Sequence, residues 1–246
     1  MTEIALQDPL AFPVSPRNRV KRKHERASYD REAVFAVLDA GFLCHVAYVL
    51  DGQPYCTPTI HWREGDVLYW HGSSASRMLR KLEGGTPVCL TVSHLDGLVL
   101  ARTGFNHSAN YRSAMCFGTA HLVNDPEEKA HALLGLVDRF YPGRAAELRP
   151  SNPQEIKATT VVSMVIEEAS AKVRAAGVGD DEEDYAHPVW AGVIPVSMTI
   201  GEDQPCPRQL DGIEKPAGLA AYRSGRRLDD VLLEAQRLYE KAAQSD

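Results

Sequence analysis

The chain has 246 residues, 44% hydrophobic and 24% charged, which suits one large domain, or one domain with an extension, built on a real core. Its formal net charge of −6 disfavours a nucleic-acid partner, and no apolar run reaches the roughly 20 residues of a membrane helix. The first residues are broken by acid and proline before any signal-peptide core develops, so a cytoplasmic protein is expected.

Residues 1–19 read as an irregular arm containing Pro13 and Pro16. The basic run Arg17 to Arg26 is short and lacks interleaved aromatics, which argues against a nucleic-acid arm. From Ser28 the pattern turns helical, with Val34, Val37 and Leu38 at helix spacing and Gly41 as the stop. A β-rich region follows: Phe42 to Leu50, the turn Asp51–Gly52, QPYCTPTIHWRE, a turn at Gly65, and VLYWH. A helix after Ser74 is expected to end at Gly84 and Gly85. The strands Pro87 to Ser93, Leu98 to Arg102 and Ser113 to Val123 then continue the sheet.

Asp125, Pro126 and Glu128 carry the start signals of a helix over Pro126 to Phe140, including a capping box. A proline-interrupted stretch leads to one long strand, Thr159 to Val173, and after the acidic loop GDDEEDY to a last strand, Val189 to Ile200. Six to eight strands with few helices make a barrel the economical way to remove sheet edges. The extension over 201–246 ends in a helix whose apolar stripe (Leu228, Val231, Leu232, Ala235, Leu238) packs on the body or on a partner.

The five cysteines form no CxxC pair, and Cys44, Cys56, Cys89 and Cys116 lie in apolar strand-like segments, so buried free thiols are expected. Nine scattered histidines without HxH or HExxH spacing give no metal site. No Ser/His/Asp or Cys/His arrangement points to a protein nucleophile. The stretch VLYWHGSSASRMLRKL is the most informative. A strand running through His71 and Gly72 into a serine-rich turn and a basic helix aims N–H groups, hydroxyls and a guanidinium at one point, as a phosphorylated ligand requires.

Four landmarks in order, YCTPTIHW, LYWHG with its serine and arginine helix, NHSANYRSAMCFGTAHLV, and SAKVR followed by HPVWAGVIP, resemble the pyridoxamine 5′-phosphate oxidase-like FMN-binding superfamily, in particular its nitroimidazole-resistance branch. The likeness covers roughly residues 20–200. It implies a mainly β, split β-barrel fold with peripheral helices, forming a homodimer with one FMN in each of two interface clefts.

Residue by residue, the resemblance puts the strand beside the flavin ring on Thr57, Pro58, Thr59, Ile60 and His61, with Thr57, Thr59 and His61 sharing one face. The phosphate site falls on Tyr69, Trp70, His71, Ser76 and Arg77. Met78 stands where the oxidases usually have lysine; Lys81, one turn on from Arg77, is either its substitute or a surface charge. Tyr111, Arg112 and Ser113 match the segment beside the ring and ribityl chain, with Asn110 and His107 nearby, and Trp190 matches a late tryptophan that borders the cofactor. The segment VWAGVIPVSM lacks the arginine and histidine cluster that holds substrate in the vitamin-forming oxidases, so that activity is not expected.

The expected activity is electron or hydride transfer through FMN to a small organic acceptor, with NAD(P)H as the source of electrons. The alternatives are a flavin carrier or redox sensor without turnover, and the same barrel holding deazaflavin or haem.

Overall fold

The computed structural model describes residues 10–73 and 84–243. Strand β1 (Ala27–Ser28) precedes helix α1 (Arg31–Asp39), followed by β2 (Leu43–Leu50), β3 (Gln53–Glu64), β4 (Val67–Ser73), β5 (Thr86–Leu100) and β6 (Ser108–Leu122). Then come α2 (Pro126–Phe140), α3 (Pro153–Ala158), β7 (Thr159–Val165), β8 (Glu168–Arg174), β9 (Gly192–Pro195) and α4 (Leu228–Ala243).

The antiparallel pairings β2–β3, β3–β4, β4–β7, β7–β6, β6–β5 and β5–β2 return to their starting strand, so six strands close into a barrel without an edge. Strands β5 and β6 overrun it; β8 and β1 extend the sheet from the early half of β6, and β9 pairs with the end of β5. This is the split β-barrel expected from the sequence. Period-two alternation fills it, with Cys44, Val46, Tyr48 and Leu50 of β2 facing Leu68 and Trp70 of β4, Val88, Leu90 and Val92 of β5, and Ala114 and Cys116 of β6. Val34, Val37 and Leu38 of α1 belong to the same core.

From His61 onward β3 is buried on both faces, because α2 and α4 cover its outer side. There Trp62 packs with Phe140, Val161 and Leu232 and stacks on Tyr69 at 5.4 Å between ring centroids. Leu68 and Trp70 point into the barrel, and Tyr69 lies half-buried against the outer cluster.

Several boundaries differ from the sequence expectation for identifiable reasons. Ser28 pairs with Ala171 in β1, so α1 starts later, with Asp30 at its N-cap. Gly41 follows the helix end and is required by packing, since a Cβ there would stand 2.6 Å from Val92. Asp51 and Gly52 both take positive φ, the geometry of a two-residue hairpin turn. The two pieces Pro87–Ser93 and Leu98–Arg102 belong to one strand, β5, whose ladder to β6 absorbs His94–Gly97 through an irregularity between Leu95 and Gly97. Thr159–Val173 divides at Ile166–Glu167, where Ile166 N–H turns to the Asp66 carbonyl and Glu167 N–H to that of Phe117. Of Val189–Ile200, only Gly192–Pro195 is a strand.

Asp125 caps α2 by accepting the N–H groups of Glu127 (3.0 Å) and Glu128 (2.8 Å). A reciprocal capping box occurs instead at α3, between Asn152 and Glu155. Helix α4 buries Val231, Leu232 and Ala235 on the body, while Leu238 remains exposed. Cys44 and Cys116 are buried as expected, whereas Cys89 is half-buried and Cys56 is exposed, because both lie on the outer face of the barrel. No helix among the described residues is long and apolar enough to cross a membrane.

Candidate functional site

The β2–β3 register sets Val46 against Thr57 and Cys44 against Thr59, so Thr57, Thr59 and His61 share the inward face of β3. Their polar atoms are engaged there except His61 Nδ1, which is buried without a hydrogen-bond partner among the described residues. Thr57 Oγ1 meets the Tyr48 hydroxyl at 3.0 Å, Thr59 Oγ1 donates to the His71 carbonyl at 3.4 Å, and His61 Nε2 donates to the Leu38 carbonyl at 3.1 Å. Burial drives the His61 pKa down to about 4, which keeps the ring neutral. Pro58 is exposed on the outer face, and Ile60 is half-buried against the outer cluster. The Trp70 ring is 2% exposed, so contact at that position with a ligand outside the barrel comes through the main chain.

His71 meets Thr59 only through its main-chain carbonyl; its side chain follows Tyr69 onto the outer face of β4, beside Trp62. It is half-buried, its ring centroid lies 6.3 Å from that of Trp62, and burial lowers its pKa. Among the described residues its Nδ1 is buried without a hydrogen-bond partner, the type of orphan that a ligand atom would satisfy. Ser76, Arg77 and Lys81 lie outside the described residues.

Tyr111, Arg112 and Ser113 are half-buried in β6, reached from β3 by crossing β2 and β5. Ser113 Oγ donates to the Lys172 carbonyl at 3.3 Å. Arg112 is already committed: its guanidinium forks onto Asp96 at 2.9 and 2.7 Å and reaches Asp229 of α4 at 2.9 Å. It thereby ties β5 and β6 to the C-terminal helix. Arg227 and Arg112 hold the Asp229 carboxyl down at about pKa 2. Asn110 Nδ2 donates to the Ala176 carbonyl at 3.1 Å, and His107 Nδ1 lies 2.8 Å from the Thr103 carbonyl. Trp190, 66% exposed, lies just before β9, far along β5 from the His71 end of the barrel.

Thr57, Thr59 and His61 thus line the inner face of β3 while the His71 side chain stands on the outer face beside Trp62, and Arg112 and Trp190 stand apart from both in a single chain. What connects the two groups is the outer face of β3, β2, β5 and β6. A cross-strand row there runs Pro58, His45, Thr91, Met115, with Ser113 and Tyr111 beside it. This face carries no Lys, Arg, Asp or Glu from Leu43 to Val49, from Pro54 to Ile60, from Cys89 to Thr91 or from Ser113 to Phe117.

Next to it, a cleft of about 590 Å3 is lined by Phe42, Leu43, His45, His94, Leu95 and Met198 and bordered by the Arg112–Asp96–Asp229 group. The sequence reading missed His45, His94, Asp96 and Asp229. Arg112 to Asp229 spans 117 residues, and no local pattern announces such a pair. Burial pushes the thiols of Cys44 and Cys89 to about 12 and 11, so neither is a nucleophile near neutral pH.

Residues 30–173 match the pyridoxamine 5′-phosphate oxidase family. No curated protein sequence is significantly similar to the chain. Among solved structures, the flavocytochrome Anf3 from Azotobacter vinelandii is 49% identical over 86% of this chain and 98% of its own, with a TM-score of 0.80. The FAD and haem binding protein from Mycobacterium smegmatis is 37% identical over 82% of this chain and 98% of its own, with a TM-score of 0.77. A candidate 5-nitroimidazole antibiotic resistance protein from Bacteroides thetaiotaomicron is more distant, 26% identical over 60% of this chain and 86% of its own, at a TM-score of 0.50. The family match takes in more than half of the residues and every barrel strand from β2 to β7, and the chain belongs to the pyridoxamine 5′-phosphate oxidase family.

Proposed function

We propose that this protein is a flavin-binding redox protein of the flavocytochrome type, holding FAD and a haem. This revises the expectation of FMN and favours the haem-containing alternative over a simple flavin reductase. The observation that carries it is the 49% identity to a flavocytochrome over 98% of that protein's length, a span that includes residues beyond the barrel. A second relative of similar coverage is described as binding FAD and haem.

The flavin supplies electron or hydride transfer when bound, and this chain's residues position it. Pro58 has no N–H to donate and stands exposed on the outer face of β3, where a planar ligand can lie against it. His71 offers an unpartnered Nδ1 beside that strand and, with its pKa lowered by burial, stays neutral near pH 7. Ser76 and Arg77 remain the sequence's choice for the phosphates. The uncharged outer face is the surface of a homodimer, which would bring Trp190 of one copy toward the cofactor of the other. The physiological electron donor is of the NAD(P)H class.

The test is the absorbance spectrum of the purified protein, with chromatography of the released cofactors. FAD together with a Soret band supports the reading; FMN alone, deazaflavin alone or no chromophore after reconstitution overturns it. NADPH oxidation with an added acceptor then separates an enzyme from a carrier.

A further inference from the structure

The cleft of about 590 Å3 beside the flavin strand has the size of a cofactor site, with walls of Phe42, Leu43, Leu95, Leu228 and Met198. Haem needs such an apolar slot and an imidazole whose tip nitrogen is free. Two histidines line the cleft. His94 lies with Nε2 3.0 Å from the Val37 carbonyl, an acceptor, so its tip nitrogen is protonated and occupied. His45 is exposed on the outer face of β2, and its imidazole makes no hydrogen bond among the described residues. At the rim, the guanidinium of the half-exposed Arg227 forks onto Asp229 at 3.0 and 2.6 Å.

We infer that His45 is the axial haem ligand of this chain, with the haem seated in the cleft between β2, β5 and the start of α4. The inference rests on the flavocytochrome reading. The register strengthens it, because His45 is the direct cross-strand partner of Pro58, and such side chains stand about 5 Å apart. A haem held by His45 is therefore adjacent to the strand that borders the flavin, as electron exchange between the two groups requires. The cleft also adjoins the uncharged outer face, so pairing of two copies would shield it from water.

The experiment titrates haemin into the wild-type protein and into His45→Gly, with His94→Gln and Met198→Leu as companions, following the Soret band, the ligand-field spectrum and flavin content. Wild type is expected to take up one haem per chain. His45→Gly should bind at least tenfold more weakly while retaining its flavin, and added imidazole should restore the wild-type spectrum, a rescue that a merely structural role would not give. A wild-type Soret position and affinity in His45→Gly would overturn the assignment alone. Loss of the axial-imidazole spectrum in His94→Gln instead would move the ligand to His94 and also overturn it. Failure of the wild type itself to bind haemin would overturn the flavocytochrome reading beneath it.

Discussion

His61 Nε2 lies 3.1 Å from the carbonyl oxygen of Leu38, so a histidine in the barrel wall closes the end of the helix that plugs the barrel. The bond needs a proton on Nε2 and by itself favours the charged ring, but burial outweighs it and holds the pKa at about 4, below the ordinary 6.5. The folded state therefore resists a proton that the unfolded chain accepts. Stability from this group is complete above pH 6.5 and is lost as pH falls through about 4. Between pH 7 and 5 the wild type should lose about 2 kcal/mol more than His61→Gln, which keeps a donor but does not titrate. Urea unfolding at both pH values checks this; equal losses would show that His61 is not held neutral.

The second prediction concerns the buried pair beneath α4. Arg63 forks onto Asp39 through Nε at 2.9 Å and Nη2 at 2.5 Å, gives Nη1 to the Gly65 carbonyl at 2.8 Å, and reaches Glu240 at 2.7 Å. Its guanidinium carbon also lies 4.0 Å from the Phe35 ring centroid. Removing Arg63 leaves Asp39 buried without compensation, so Arg63→Met should cost about 3–5 kcal/mol. Glu240→Gln touches only the half-exposed end and should cost about 1 kcal/mol or less. Comparable losses in the two variants by chemical denaturation would contradict the ranking.

The barrel seam between β6 and β7 depends on Gly118. A Cβ there would fall 2.3 Å from the Val165 carbonyl oxygen and 2.7 Å from Met164 Cγ, and the backbone atom cannot swing away. Gly118→Ala should destabilise by about 3 kcal/mol or more through overpacking. Gly104, with open space around its Cβ position, is the control and should shift stability by roughly 0.5 kcal/mol at most. Thermal unfolding of the two variants separates them.

These contacts also show which parts of the molecule were legible in the sequence. Helix α2 and the Asp51–Gly52 hairpin were readable because cap and turn residues act on their immediate neighbours. Ile166–Glu167 was not readable as a break, since it is made by acceptors on Asp66 and Phe117, residues distant in sequence. The threonines of β3 were correctly grouped on one face by strand periodicity, but periodicity does not say which face is inside. The same limit hid His45. An isolated histidine in an apolar strand gives no signal until β5 and the C-terminal segment build a cleft around it.

The final prediction concerns the outer sheet face and the proposed homodimer. Val49 is 58% exposed and Met115 is 43% exposed, on strands whose outward residues form an uncharged row across β3, β2, β5 and β6. A self-complementary face of this kind suits a two-fold pair, in which each substitution acts twice. Light scattering of the wild type should give about twice the 27.1 kDa chain mass. Met115→Glu should yield a folded monomer, because the charge is tolerated by solvent but carries a desolvation penalty in a buried apolar interface. The monomer should keep the circular dichroism of the barrel while binding flavin more weakly, since Trp190 would no longer be delivered from a second copy. A wild-type monomer that binds flavin tightly, or a Met115→Glu dimer of unchanged affinity, would show that this face is not the interface.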